Sequence, residues 1–356
     1  MPSTRHRAPR TEVNVTGAGY GVWGAGWGLC CENDSCYGQD VGIILNIGKA
    51  EVRRSLWSRA ACTLGVSTLV LTGVACSSGA DTGAVAGAEA GSSSGVQSDR
   101  LAVLASFYPL EFVVERVGGN SVGVTNLTPP GAEPHDLELG ANDLVEVREA
   151  DLVVYLRGIS AAVDNAVNTA AGTRWFDVTA LARLEADIHF WLDPLRLADV
   201  ADGVAQRLAE LDPSGAEAFR ANAAALRADL TALDAEFVSG LATCARRDLV
   251  TSHAAFGYLA TRYGMQQQSV SGLSPDGEPT AAALARVADF VRDKGVTTIY
   301  TETLLSSATA RALASETGAR VAVLDPLEGL AEGAVGDYLT VMRANLGVLR
   351  TGQGCT

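Results

Sequence analysis

Three histidines and one aspartate are the residues of this chain whose types are best suited to act together. They are His135 in GAEPHDLE, His189 in ADIHFWLDP, His253 in VTSHAAFGY and Asp325 in VLDPLEG. The chain has 4 histidines, and the remaining one, His6, lies in an N-terminal region that we expect the mature protein to lack. Three imidazoles and one carboxylate make a complete four-ligand nitrogen and oxygen set for a divalent metal ion.

Taken singly, none of these residues requires a metal ion. A histidine near a strand end is more often hydrogen-bonded or on the surface, and an aspartate before a proline often serves a turn or a helix cap. The metal interpretation rests on joint placement. Each of the four residues lies at the end of a predicted strand, just after one, or in a loop beside one.

The elements that must position these residues fall into two blocks, at 101–156 and 248–349. In each block short apolar strands alternate with helical patterns, which predicts a parallel sheet covered by helices. Between them lie an amphipathic stretch at 194–211 and a longer one at 214–243 with leucines at helical spacing. About 30 helical residues span roughly 45 Å, enough to bridge two domains. We therefore predict an α/β fold of two lobes joined by one long rigid helix.

The four candidate ligands are divided between the two predicted lobes. His135 and His189 precede the long helix, whereas His253 and Asp325 follow it. Ligand sites in open α/β sheets lie outside the carboxyl ends of the strands. A metal ion bound by all four residues would therefore lie in the cleft between the lobes.

Bulk composition excludes one class of partner. The chain has 356 residues, 47% hydrophobic and 19% charged, which is ordinary globular composition with enough length for two domains. The formal net charge is −14 and the pI is near 4.7. Such a chain repels phosphate backbones, so we expect no nucleic-acid partner. Acidity also suits an exported carrier of cations.

The N-terminal part of the chain contains a targeting signal. Residues 53–76 begin with arginines, continue through an uncharged apolar run at 60–75 that is short for a membrane span, and end at Cys76. This pattern resembles a bacterial lipoprotein signal, which implies lipidation of Cys76 as the mature N-terminus. Gly73 departs from the pattern, because leucine is usual there. Simple cleavage nearby and an uncleaved anchor remain alternatives.

About 50 residues precede this signal, although a signal peptide should start a chain. We interpret residues 1–51 as a non-native extension, with translation beginning near Val52. Cys30, Cys31 and Cys36 lie within it and have no partner pair at zinc-ribbon spacing. The predicted organisation is an extension at 1–51, a lipoprotein signal peptide at 52–76, a flexible Gly/Ser/Ala linker at 77–99, an N-terminal lobe at 100–213, a linking helix at 214–245 and a C-terminal lobe at 246–356.

Six segments of the body carry a family resemblance: PPGAEPHDLE, HFWLDP, LVTSHAAFGYLATRYG, GLSPDGEPT, IYTETLLSS and VLDPLEGL. Together, and in this order from about residue 100 to 350, they resemble the zinc and manganese solute-binding proteins of ABC transporters. The resemblance implies a metal ion in the cleft of two α/β lobes, bound by His135, His189, His253 and Asp325. It also implies a monomeric, extracytoplasmic receptor that delivers its ion to a membrane permease.

The third ligand position bears on which ion is carried. Manganese-type members usually have glutamate there, and this chain has His253. Imidazole suits zinc whereas oxygen ligands suit manganese, so we expect Zn²⁺, with Mn²⁺ as the alternative. Many zinc-type members also have a His-rich loop between the first two ligands. Residues 157–188 contain no histidine, so no metal-collecting loop is predicted.

Two further glutamates and two cysteines complete the predicted site and fold. Glu302 matches a family glutamate near the metal, and we expect it to accept a hydrogen bond rather than to coordinate. Glu133 is a weaker additional candidate. In an oxidising exported compartment, Cys244 and Cys355 form an even pair that predicts a disulfide, with two free thiols as the alternative.

Functions of other classes make different demands on the site. A zinc hydrolase usually keeps three protein ligands and an open position for water, which four protein ligands would not leave. The sequence has no HExxH motif and no Ser-His-Asp arrangement, so we expect no enzyme activity unless Asp325 lies outside the shell. A surface adhesin or a metal chaperone on the same fold is a third alternative.

Overall fold

The computed structural model describes residues 100–169, 174–275 and 277–356, all within one compact unit. The predicted N-terminal extension, signal peptide and linker therefore lie outside the described residues. So do the N-terminal cysteines, including the predicted lipidation site Cys76.

The first lobe is built on a sheet of four parallel strands in the order β2-β1-β3-β4. The inner strand β3 is buried along its whole length, because helices cover both faces of the sheet. The elements are β1 Leu101–Ala105, α1 Tyr108–Gly118, β2 Val122–Asn126, α2 Ala141–Glu149, β3 Leu152–Tyr155, α3 Ala161–Thr169 and β4 Trp175–Asp177.

Two long antiparallel-packed helices, α4 Pro194–Leu211 and α5 Ala216–Gly240, follow the first lobe. Helix α4 begins sharply: Pro194 occupies its first turn, and the Asp193 side chain accepts a hydrogen bond from the Leu195 N–H at 3.0 Å. Helix α5 buries a helical stripe that packs on α4, on α1 and on the C-terminal helix. The stripe consists of Phe219, Ala223, Leu226, Leu230, Leu233 and Phe237.

The second lobe repeats the first, with four parallel strands in the order β6-β5-β7-β8. Both sheets therefore have the strand that starts the lobe at an inner position. The elements are β5 Asp248–Thr251, α6 Gly257–Arg262, β6 Gln266–Ser269, α7 Ala281–Lys294, β7 Thr298–Thr301, α8 Ala308–Thr317, β8 Arg320–Val323 and α9 Tyr338–Gln353.

One hydrophobic core continues through both lobes. It contains Phe107 and Trp191 from the first lobe, whose ring centroids are 4.8 Å apart, and Phe256 and Tyr300 from the second. Smaller clusters lie under α2 and α3 in the first lobe and under α7 and α8 in the second. The shared core fixes the lobes against each other and thereby fixes the cleft between them.

The predicted α/β fold of two parallel-sheet lobes is confirmed, and helix α5 is consistent with the predicted linking helix. The described elements differ from the sequence prediction mainly at their ends. The sequence pattern predicts that the last helix begins near Ala334. It begins at Tyr338, because Gly333 and Gly336 adopt φ of 73° and 109°, which a regular helix does not allow. The pattern also predicts a strand at 269–272 (SVSG), whereas β6 ends at Ser269. The three-residue strand β4 was not predicted, because it is only half-buried and too short to show a period.

A disulfide between Cys244 and Cys355 ties the chain end to the segment after α5, as predicted. The backbone supports it, since the Ala245 and Arg246 N–H groups donate to the carbonyls of Gly354 and Gln353 at 3.2 and 3.1 Å. Within the described ranges, no helix combines the length and apolar character that a membrane crossing requires.

Candidate metal centre

The three predicted histidines come together between the two lobes. His135 lies in a single helical turn, Pro134–Asp136, after β2, and His189 directly precedes another such turn, Phe190–Leu192. His253 follows β5 in the second lobe. Their rings approach one another, with centroids of His189 5.9 Å from His135 and 5.3 Å from His253. The carboxylate among them belongs to Glu328, in the turn that follows β8.

The three imidazoles converge on one oxygen atom. The Nε2 atoms of His189 and His253 lie 3.0 and 3.1 Å from Oε1 of Glu328, and Nε2 of His135 lies 3.7 Å from it. One ligand atom each from His135, His189 and Glu328 lies within 4.8 Å of the others. The side chains are all buried, from 0% exposed for His189 to 6% for His135.

These distances suit a small ion with tetrahedral coordination. Zinc binds histidine nitrogen and carboxylate oxygen at about 2.0–2.1 Å, which places neighbouring ligand atoms roughly 3.3 Å apart. The observed separations of 3.0, 3.1 and 3.7 Å bracket that value. His253 contacts Glu328 but does not belong to the group of ligand atoms that lie within 4.8 Å of one another. A four-ligand shell around Zn²⁺ therefore requires the side chains to move closer together.

Two further carboxylates hold the far sides of the histidine rings. Nδ1 of His189 lies 2.7 Å from Oδ1 of Asp187, which also accepts a hydrogen bond from the His189 backbone N–H at 2.9 Å. Nδ1 of His253 lies 2.7 Å from Oε2 of Glu302, whose other oxygen accepts from the His253 N–H at 3.2 Å. A carboxylate at Nδ1 keeps the proton there and directs Nε2 towards the metal. Glu302 thus lies where the sequence predicted an acceptor.

Burial and charge perturb the titration of this cluster. Burial acts to lower the pKa of His253, but hydrogen bonds to Glu302 and Glu328 outweigh it and raise the pKa to about 10. The same balance, with Asp187 and Glu328 as partners, raises the pKa of His189. Burial acts to raise the pKa of Glu328, yet the three neighbouring histidines hold that pKa well below its usual value. In the metal-free protein, Glu328 is therefore the anion on which the imidazoles centre.

Glu133 lies at the edge of this cluster. Its carboxylate faces the His135 backbone N–H at 3.5 Å and also contacts Glu328. Burial and the negative charge of Glu328 raise the pKa of Glu133. Glu133 therefore adds no second full negative charge to the centre near neutral pH.

Asp325 lies beside the centre with its carboxylate in the turn that follows β8. Oδ1 of Asp325 accepts a hydrogen bond from the Leu327 N–H at 2.8 Å. Leu327 has φ of 57°, a left-handed conformation that costs a non-glycine residue about 1–2 kcal/mol. The Asp325 hydrogen bond and full burial of the Leu327 side chain stabilise this turn. The turn directs the next residue, Glu328, towards the histidines.

The turn is also bound to the first lobe. The Trp191 indole N–H donates to the Pro326 carbonyl at 2.7 Å, and the Tyr338 hydroxyl donates to the Trp191 carbonyl at 2.5 Å. The Trp191 ring packs against His189, with centroids 5.2 Å apart. The segments that carry His189 and Glu328 are therefore connected by hydrogen bonds across the cleft.

Sequence analysis did not single out Glu328 or Asp187. Both lie in quoted segments, three residues after Asp325 and two residues before His189. One signal in the sequence could have pointed to Glu328. Pro326 follows the end of β8, so the chain must turn there, and a carboxylate a few residues later can face the same sheet edge as Asp325. For Asp187 the signal was a carboxylate at short spacing from a candidate ligand, because a metal-binding histidine often donates its other ring N–H to a carboxylate.

Comparison with known proteins identifies the family of this chain. A family model described as zinc-uptake complex component A, periplasmic (ZnuA) matches residues 103–352. The zinc-binding protein AdcA of Streptococcus pyogenes serotype M6 is 35% identical over 286 residues, covering 70% of this chain and 56% of AdcA. The chain thus spans about half the length of that relative.

Solved structures share the fold. The zinc-bound ZnuA-like domain of Streptococcus pneumoniae AdcA is 33% identical, with a TM-score of 0.63 and coverage of 71% of this chain and 99% of that domain. The laminin-binding protein Lmb of Streptococcus agalactiae, described as bifunctional with adhesin and metal transporting activity, is 31% identical with a TM-score of 0.67 at the same coverage. The chain belongs to the family of the periplasmic component A of zinc-uptake complexes.

Proposed function

We propose that this protein is an extracytoplasmic receptor that binds Zn²⁺ in the cleft between its lobes and delivers it to the permease of an ABC transporter. The observation that carries the proposal is the convergence of three imidazole Nε2 atoms on one buried carboxylate oxygen. Family membership supports a role in zinc uptake, and the signal peptide predicted at 52–76 supports an extracytoplasmic location. A lipid on Cys76 anchors this monomeric receptor beside the permease.

The ligand set of this proposal differs from the sequence prediction in its fourth member. His135, His189 and His253 remain, and Glu328 takes the place of Asp325. The oxygen of Glu328 lies among the three Nε2 atoms, whereas an oxygen of Asp325 accepts the Leu327 N–H. Asp325 serves the turn that presents Glu328.

The donor set favours zinc over manganese and binding over catalysis. Three imidazoles and one carboxylate match the ligand preference of Zn²⁺, and manganese prefers more oxygen donors. Four protein ligands fill a tetrahedral shell and leave no position for an activated water, so the site binds the ion without hydrolytic chemistry. A shell with one negative charge leaves the bound ion with a net charge of about +1, which suits a carrier that must also release it.

Titration of the metal-free protein with Zn²⁺ in competition with a chelator tests the ligand set. We expect Glu328→Gln to weaken zinc binding by roughly a hundredfold or more, because it removes the only anionic ligand from a buried site. The matched variant Asp325→Asn keeps the turn acceptor and should weaken binding by less than about tenfold.

Two results would overturn parts of this proposal. A larger loss in Asp325→Asn than in Glu328→Gln would return the fourth position to Asp325. Tighter binding of Mn²⁺ than of Zn²⁺ by the wild-type protein under the same conditions would identify manganese, not zinc, as the cargo.

A further inference from the structure

A tyrosine of the second lobe holds the main chain that leads to His189 in the first. Tyr258 lies on α6 and is 9% exposed. Its hydroxyl donates a hydrogen bond to the Asp187 carbonyl at 3.0 Å and accepts one from the Glu185 N–H at 3.0 Å. One phenol thus satisfies a donor and an acceptor of the same segment, which fixes that segment relative to α6.

Helix α4 contacts both the Tyr258 ring and the segment that precedes His189. The Arg196 guanidinium lies over the Tyr258 ring, 4.3 Å from its centroid, a cation–π contact. Nη1 of Arg196 also donates to the carbonyls of Ala182 and Arg183 at 2.9 and 2.7 Å. The segment before His189 is therefore bound by α4 at one end and by α6 near its other end.

The first residue of α6 is shaped to fit this segment. A Cβ atom on Gly257 would lie 2.5 Å from Oδ2 of Asp187, closer than van der Waals contact allows. Glycine at this position therefore lets the start of α6 lie directly against the carboxylate whose other oxygen contacts Nδ1 of His189. The α6 backbone, Asp187 and His189 form one packed chain across the lobes.

We propose that Tyr258 is a positioning residue for zinc, acting through the Asp187 main chain to set the orientation of His189. This inference rests on the proposed zinc-binding function. The phenol belongs to the second lobe and is hydrogen-bonded to the first. A displacement of α6 therefore also displaces His189. The contact slows zinc release without touching the ion.

The same helix region offers a matched control. Tyr263, one residue beyond α6, is 7% exposed, and its hydroxyl donates to Oδ1 of Asp234 on α5 at 3.0 Å. Tyr258→Phe and Tyr263→Phe each remove one buried hydroxyl and keep the ring. Only the first removes hydrogen bonds to the segment of a candidate ligand.

The experiment measures Zn²⁺ dissociation into excess chelator from the purified protein, together with the thermal midpoint of each metal-free variant. We expect Tyr258→Phe to release zinc about tenfold faster than wild type, whereas Tyr263→Phe stays within about twofold at a similar loss of thermal midpoint. The Co²⁺-substituted Tyr258→Phe protein should also show an altered visible absorption spectrum, which a merely structural role would leave unchanged.

Gly257→Ala provides a second route to the same displacement, through Asp187. It should raise the zinc release rate in the same direction and change the Co²⁺ spectrum, even where Tyr258→Phe fails to fold. Equal release rates in wild type, Tyr258→Phe and Gly257→Ala would overturn the inference, as would equal acceleration in Tyr263→Phe. Failure of the wild-type protein to bind zinc would instead overturn the proposed function.

Discussion

The two lobes share a strand order and differ in what they contribute to the metal centre. The first lobe supplies two imidazoles from turns outside its strands, and one of them, His135, lies farthest from the central oxygen. The second supplies His253 and Glu328, both 1% exposed, with Glu302 behind the histidine. The same sheet topology thus presents two imidazoles on one side, and one imidazole with the carboxylate on the other. Strand order therefore sets where the ligands lie, whereas the turns after the strands set which side chains they are and how deeply they are buried.

Removal of one histidine from each lobe is the strongest test of this comparison. We expect His253→Ala to weaken zinc binding roughly a thousandfold, about 4 kcal/mol, because it also removes the imidazole beside Oε2 of the buried Glu302. His135→Ala should cost about tenfold to a hundredfold, since its Nε2 lies farther from the centre, 3.7 Å against 3.1 Å. Isothermal titration with a competing chelator measures both. A larger loss of zinc affinity in His135→Ala than in His253→Ala would show that the second lobe does not contribute more to zinc binding than the first.

Removal of the disulfide should lower the stability of the second lobe without changing the geometry of the ligands. Cys244→Ser with Cys355→Ser opens a covalent loop with a sequence separation of 111 residues. We expect the free energy of unfolding to fall by about 2–4 kcal/mol, because the unfolded chain gains conformational freedom. Zinc affinity should change less than threefold, since neither cysteine contacts the centre. Chemical denaturation of metal-free protein and zinc titration separate the two effects, and an affinity loss as large as that of His253→Ala would contradict this separation.

Acid should weaken zinc binding, and the second lobe should carry part of the effect. The pKa of His253 in the metal-free protein is raised to about 10, so this ring holds a proton at neutral pH that zinc must displace. Below that pKa, each fall of one pH unit adds proton competition, and affinity should drop about tenfold for each such proton. Competition titrations between pH 6 and 8 measure the slope. His253→Ala should flatten it relative to wild type, and an unchanged slope would show that the competing proton resides elsewhere.

A surface contact between α5 and α9 should have the smallest effect. The Arg343 guanidinium donates to both oxygens of Glu236 at 2.9–3.2 Å, with both side chains more than 40% exposed. Exposed ion pairs contribute about 0–1 kcal/mol because water and salt screen them. Glu236→Gln should lower the free energy of unfolding by less than about 1 kcal/mol and leave zinc binding unchanged. A loss comparable to that of the disulfide variant would show that α9 depends on this pair.

The sequence predicted what periodicity and strand ends determine. Alternating strands and helices predicted two parallel lobes. The joint placement of His135, His189 and His253 at or beside strand ends in those lobes predicted the cleft site. The assignment of the fourth position to Asp325 used the same rule and could not anticipate the turn. A left-handed Leu327 has no sequence signature, since glycine or asparagine would be the expected residue there. The contact of Asp187 with Nδ1 of His189 depends on the orientation of the ring, which spacing along the chain does not encode.

The disulfide also has a topological consequence for the half of the molecule that carries His253 and Glu328. Cys244 precedes β5 and Cys355 is the penultimate residue, so every peptide bond of the second lobe lies inside one covalent ring. Proteolysis of an exposed loop, such as residues 272–274, therefore opens the ring without releasing a fragment. Under oxidising conditions a singly nicked receptor keeps all of its candidate ligands on one covalently connected molecule, and only reduction separates the pieces.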